Sequence, residues 1–278
     1  MPFSLLLRFS DFLYYLMYYV VGYRKEVVLD NISQSFPEQS KKEVEKTAKL
    51  FFRHLCDLIM ESVKNFNISE EELSQRVTFT GTEIFAPYAA AGQNLIGTAG
   101  HCGGWEVISM RMGEVAGHKH YGIVKPLNNK FFSDLIFSTR TKFGTGIIPV
   151  KEVKDYFNKE HPTPIGISFI ADQWPNNPLR CHWVNFLGRE TPFFFGAEKY
   201  ARETNWPVFY IDVVKPKRGY YTVEFSMICE DPSKTENGEI IEAYVKKLEK
   251  TILRQPEYYL WSHRRWKKTK EEVLAIKK

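Results

Sequence analysis

The sequence has no CxxC pair. Its four cysteines, Cys56, Cys102, Cys181 and Cys229, lie far apart, which excludes a disulfide framework and a zinc site of closely spaced thiols. They read as reduced thiols of a domain facing the cytoplasm. Also missing are internal repeats, low-complexity tracts and any Pro/Gly/Ser-rich linker, so the 278 residues are expected to form one large domain. Strong charge of one sign is lacking as well. A net charge of +5 is too mild to argue for nucleic acid, but suits an anionic membrane surface, a phosphorylated lipid or an acidic carrier protein. No apolar run reaches 20 residues without a charge. Pro2 to Val21 comes nearest and is interrupted by Arg8 and Asp11, which makes it a marginal span at best. The basic start of a signal peptide is absent too.

What is present concentrates in one stretch, Asn94 to Met112, with GHCGGWE at its centre. Leu95 to Ala99 is short, apolar and bounded by turn residues, and predicts a buried strand. Gly100 breaks it, Gly103 and Gly104 keep the turn free of side chains, and a helix starts at Trp105. His101 and Glu106 thus bracket a strand-to-helix turn, the place where α/β sheets put their sites. Histidine is suited to remove a proton near neutral pH. Glu106, five residues on, is expected to return across the turn, accept the other ring N–H and stabilise the imidazolium. No serine or cysteine is paired with His101, so the base is expected to act directly on a substrate hydroxyl. Backbone N–H groups of Gly103 and Gly104 are candidates to stabilise an oxyanion. Cys102 reads as a small turn residue.

Elsewhere the chain predicts an alternation of helices and strands. Tyr14, Tyr15, Tyr18 and Tyr19 in the first segment suit a membrane interface, followed at once by Arg24 and Lys25. Asp30 to Pro37 reads as a polar turn. Ser40 and Glu43 form a capping box for a helix running through Val63. His54 and Glu61 on that helix read as structural or exposed, and Ser69 opens another short helix. Lys125 and Asp172 each follow a predicted strand, His120–Lys125 and Pro164–Ala171. Asp172 there either orients a basic residue, accepts a substrate hydroxyl or caps the next turn. Arg140 ends the helix Asn128–Phe143, where a cation also complements the helix dipole. Trp174 to Phe195 reads as a long binding loop. Further predictions are a helix over Gly196–Thr204, strands over Pro207–Val214 and Tyr220–Met227, and an amphipathic helix over Glu239–Leu253. His263, Arg264, Arg265, Trp266 and Lys267 then form a basic-aromatic cluster suited to phosphate or a membrane surface.

The His-x4-Glu spacing of His101 and Glu106 resembles the motif of glycerolipid-type acyltransferases. DNISQSFPE (Asp30 to Glu38), VKPLNNKFF (Val124 to Phe132), IADQWP (Ile170 to Pro175) and QPEYYLWSHRRWK (Gln255 to Lys267) resemble, in order, the bacterial lipid A late (lauroyl/myristoyl) acyltransferases. The resemblance implies an α/β fold, a mixed central sheet flanked by helices, with an N-terminal membrane-associated helix over residues 1–25 and the acyltransferase domain over 26–278. It implies transfer of a fatty acyl chain from acyl carrier protein to a lipid A precursor at the cytoplasmic face of the inner membrane, with no metal or organic cofactor. In that family His101 is the general base and Glu106 its partner. Lys125 stands where the family has arginine, keeping the charge but losing bidentate geometry. Arg140, Asp172, Arg264 and Arg265 fall on family positions that bind substrate. An acyl groove is expected among Phe193 to Phe195, Trp105 and the Val44–Val63 helix.

Overall fold

In the computed structural model, residues 2–126 and 128–275 are described. The chain opens with helix α1 (Phe3–Tyr15), continued as a π-helix over Leu16–Val21, then α2 (Lys25–Ser35) and α3 (Lys41–Asn65). The α3 start follows its sequence: the Ser40 side chain accepts from Glu43 N–H while Glu43 accepts from Ser40 N–H. Ser40→Ala is expected to cost about 1 kcal/mol, read as a lower denaturant midpoint at unchanged slope. Of the stretch expected to be a turn, Asp30 to Ser35 instead completes α2, and the chain turns only at Phe36 and Pro37. The polar Asn31 of α2 is buried because its amide donates to the Trp261 and His263 carbonyls, 2.7 and 2.9 Å away.

After α4 (Glu70–Arg76) the chain enters an eight-stranded mixed sheet. The strands are β1 (Val77–Thr80), β2 (Leu95–Ala99), β3 (Glu114–Val115), β4 (His118–Val124), β5 (Gly146–Pro149) and β6 (Ile165–Ile170), then β9 (Val208–Lys217) and β10 (Tyr220–Cys229). The sheet order is β1-β10-β9-β2-β6-β4-β3, with β5 also on β4. Strands β9, β2, β6, β4 and β5 run parallel, and β10 and β3 pair antiparallel at the flanks. The interposed helices are α5 (Ala86–Ala90), α6 (Trp105–Arg111), α7 (Lys130–Thr141), α8 (Val153–Asn158), α9 (Gly196–Thr204) and α10 (Glu239–Arg254), with α11 (Lys270–Ala275) last.

Central strand β2 is buried on both faces, as its unbroken apolar run requires. Leu95 and Ala99 join Val107 and Ile108 of α6 and Phe209 and Ile211 of β9 in one cluster. Ile96, on the other face, packs with Ile167, Phe157, Ala201 and Ile240. The expected loop Trp174 to Phe195 holds a second sheet, the hairpin β7 (His182–Phe186) and β8 (Arg189–Phe193). Its two-residue turn has Leu187 at φ 52° and Gly188 at φ 77°, the left-handed pair that a tight hairpin needs.

Helix α1 packs against α3 and, with its π-helical continuation, keeps an outward apolar face, Phe9, Phe12 and Tyr15 of the one and Tyr19 and Val20 of the other being exposed. Among the described residues no helix is long and apolar enough to cross a membrane.

Candidate active site

Parallel register builds the site. Ala99 of β2 pairs with Ile170 of β6, and His101 and Asp172 each lie two residues beyond, so both side chains emerge together at the sheet's carboxyl edge. His101 Nδ1 is 2.6 Å from Asp172 Oδ1, and His101 N–H donates to Asp172 Oδ2 at 2.9 Å. Gly100 makes room for the turn: a Cβ there would come within 2.4 Å of Leu248 Cδ1.

Asp172 is buried and His101 sits in the site mouth with its ring edge against Trp105, centroids 5.4 Å apart. Burial works against a charged His101, but the Asp172 carboxylate outweighs it and holds the imidazole pKa above its ordinary 6.5. Burial likewise opposes the Asp172 charge. His101 and the nearby Arg265 more than offset it, and the carboxyl pKa is lowered. With Nδ1–H donated to Asp172, Nε2 carries the lone pair. The Gln173 amide nitrogen lies 3.3 Å from it.

Glu106 does not partner His101. Both its oxygens accept from Arg140, Nε at 2.8 Å and Nη2 at 2.6 Å. The physical reason is that a guanidinium fork satisfies a carboxylate twice over, whereas an imidazole N–H satisfies it once. The pair ties the first turn of α6 to the last turns of α7, so Arg140 is at the site rather than merely at a helix end. Arg140→Lys keeps the charge but not the fork, and is expected to lower transfer about tenfold in steady-state kinetics.

The glycine turn is clasped by the segment after α10. Gly103 N–H donates to Tyr258 O at 2.9 Å, and Leu260 N–H donates to His101 O at 3.1 Å. The Gly103 N–H is therefore engaged within the protein and not offered to an oxyanion. Cys102 is buried with its thiol pKa pushed well up, first by burial and then by Asp172 and Asp212, so it is no nucleophile.

Lys125 is exposed at the end of β4, one strand beyond Asp172. The tail cluster divides. Arg264 and Lys267 are exposed, whereas Arg265 is 1 % exposed, donates to Pro192 O and stacks 4.5 Å over the Phe193 ring. Arg265 thus acts from behind Asp172 rather than on a surface phosphate. His263 accepts from Trp174 N–H, and burial with Arg265 lowers its pKa to about 4, so it carries no charge at neutral pH. Phe193 is likewise core rather than groove, packed between Phe186 and Tyr244. Of the three phenylalanines only Phe194 is exposed.

The fold is thus of the α/β class, a mixed sheet with a histidine–aspartate pair at the carboxyl edge of its parallel strands. The chain belongs to the bacterial lipid A biosynthesis acyltransferases: the family's sequence model matches residues 1–268. It is therefore an acyltransferase. No curated protein matches the chain.

Proposed function

We propose that this acyltransferase moves a fatty acyl chain from an acyl carrier protein thioester to a hydroxyl of a lipid A precursor. The observation that carries the reading is the His101–Asp172 pair, with the second ring nitrogen turned toward Gln173. The acceptor hydroxyl displaces the Gln173 amide and gives its proton to His101 Nε2 as its oxygen attacks the thioester carbonyl. Asp172 holds the tautomer and stabilises the imidazolium. The tetrahedral intermediate expels the carrier thiolate, the C–S bond breaks, and His101 returns the proton to sulfur. The pair of Glu106 and Arg140 fixes the start of α6 beside the base. Exposed Lys125 and Arg264 hold the acceptor's phosphates.

The acyl chain needs cover. Each CH₂ left in water costs about 0.8 kcal/mol. Exposed Phe131, Phe132, Ile170 and Phe194 support an apolar path on or near the carboxyl edge. The apolar outer face of α1 and its π-helical continuation supports attachment to the inner membrane at its cytoplasmic face, the helix lying in the interface.

The test is incubation of the purified protein with acyl carrier protein loaded with fatty acids of several lengths and a Kdo-bearing lipid A precursor, followed by mass spectrometry. One added acyl chain supports the reading. Thioester hydrolysis without transfer moves the acceptor to another lipid.

A further inference from the structure

The strongest feature outside the base and its partner is a buried polar chain that reaches the turn from behind. His54 of α3 is 2 % exposed and donates from Nε2 to Gly103 O at 3.3 Å. Lys215 of β9, also buried, donates to His54 Nδ1 at 3.0 Å. The Gln255 side chain holds the Lys215 backbone on both sides, accepting from its N–H and donating to its carbonyl. Behind Lys215 stands Asp57, 3.6 Å from its Nζ, which also takes Arg218 and the Ser10 hydroxyl of α1. Burial and the Lys215 charge keep His54 neutral, with its pKa well below 6.5, and a neutral ring is what this bonding needs: one nitrogen accepting, the other donating.

Gly103 is therefore held on both sides, its N–H by Tyr258 and its C=O by His54. Gly103 sits at φ 57° in the left-handed region. Among the described residues the His54 bond is the hydrogen bond that ties the turn to α3. We propose that His54, backed by Lys215, is a positioning residue for catalysis, fixing the Gly103 carbonyl and through it the place of His101 against Asp172. This rests on His101 being the base.

Two substitutions separate positioning from folding. In His54→Asn the amide oxygen still accepts from Lys215, but the shorter side chain falls short of Gly103. In His54→Gln the amide nitrogen takes the place of Nε2 and reaches Gly103. Kinetics with carrier-bound acyl donor, and nitrogen NMR of the histidine rings across pH, are read on both variants and on the wild type. His54→Asn is expected to lose about tenfold to a hundredfold in kcat at unchanged KM for the donor, with the His101 pKa moved down as Asp172 loosens. His54→Gln is expected to keep kcat within about twofold, the size of a retained hydrogen bond. The proposal is overturned if folded His54→Asn keeps the wild-type kcat and His101 titration, or if the Gln variant is as impaired as the Asn variant. It is also overturned if wild-type His54 carries its proton on Nδ1, a result independent of either variant's stability. If the wild type transfers no acyl chain to any lipid, the functional reading fails, and the His101 titration still decides the positioning role.

Discussion

His101→Ala is expected to lower acyl transfer by about 10²- to 10⁴-fold, the usual contribution of a positioned general base. The loss should fall on kcat, because a base acts on the proton in flight and makes little contact with bound substrate. Stability should fall by about 1–3 kcal/mol, because buried Asp172 loses the imidazole N–H that its Oδ1 accepts from. Transfer at the wild-type rate by a folded His101→Ala protein would remove His101 from the mechanism. The measurement is single-turnover transfer from a labelled thioester, which separates the chemical step from product release.

Asp172→Asn is expected to be as severe, up to about 10⁴-fold, because an amide can donate to Nδ1 and turn the lone pair away from the substrate. The pH profile gives this variant a signature. Wild-type His101 has its pKa raised by Asp172 against the effect of burial. The base works only when neutral, so activity falls as pH drops through that raised pKa, and the acid limb lies above 6.5. Without the carboxylate, burial prevails and the limb moves to lower pH. Glu106→Gln should not move the limb as far, since Arg140 offsets the Glu106 charge near the ring. A larger shift in Glu106→Gln than in Asp172→Asn would restore Glu106 as the partner.

Much of this architecture was legible because it is local. The Leu95–Ala99 strand is bounded by its own turn residues. The Ser40 and Glu43 box starts α3, and the helix Gly196–Thr204 begins and ends where the sequence predicts. What escaped is non-local. Helix α2 hides because its inward face carries Asn31, satisfied only by carbonyls 230 and 232 positions away. The hairpin over 182–193 hides because Leu187 is an unlikely occupant of a left-handed turn position, and Gly188 alone was the available signal.

The site shows the same division. His101 and the strand-end positions of Asp172 and Lys125 follow from chain order, but which carboxylate meets the imidazole depends on which strands are neighbours. Spacing made Glu106 the nearer candidate, while the β2–β6 register delivers Asp172 across 71 positions. Gln173, His54 and Lys215 gave no local signal. A lone histidine on a helix and a lysine in a strand acquire meaning only when α3 is laid behind the glycine turn.

The alignment of β2 with β6 also separates chemistry from chain length. Between residues 102 and 164 the connecting loops can lengthen or shorten without moving His101 from Asp172, provided the Gly103 turn, the Glu106–Arg140 pair and the β4–β6 pairing are kept. A slip of one place would bring Ala171 or Gln173 opposite His101 and abolish the site at a stroke. Within that span the exposed Phe131 and Phe132 at the start of α7 stand outside those contacts and are the positions most open to remodelling. On the proposed reading, exchanging those residues between related chains is expected to alter the acyl chain carried, measured by product mass, and to leave the pairing of His101 with Asp172 in place.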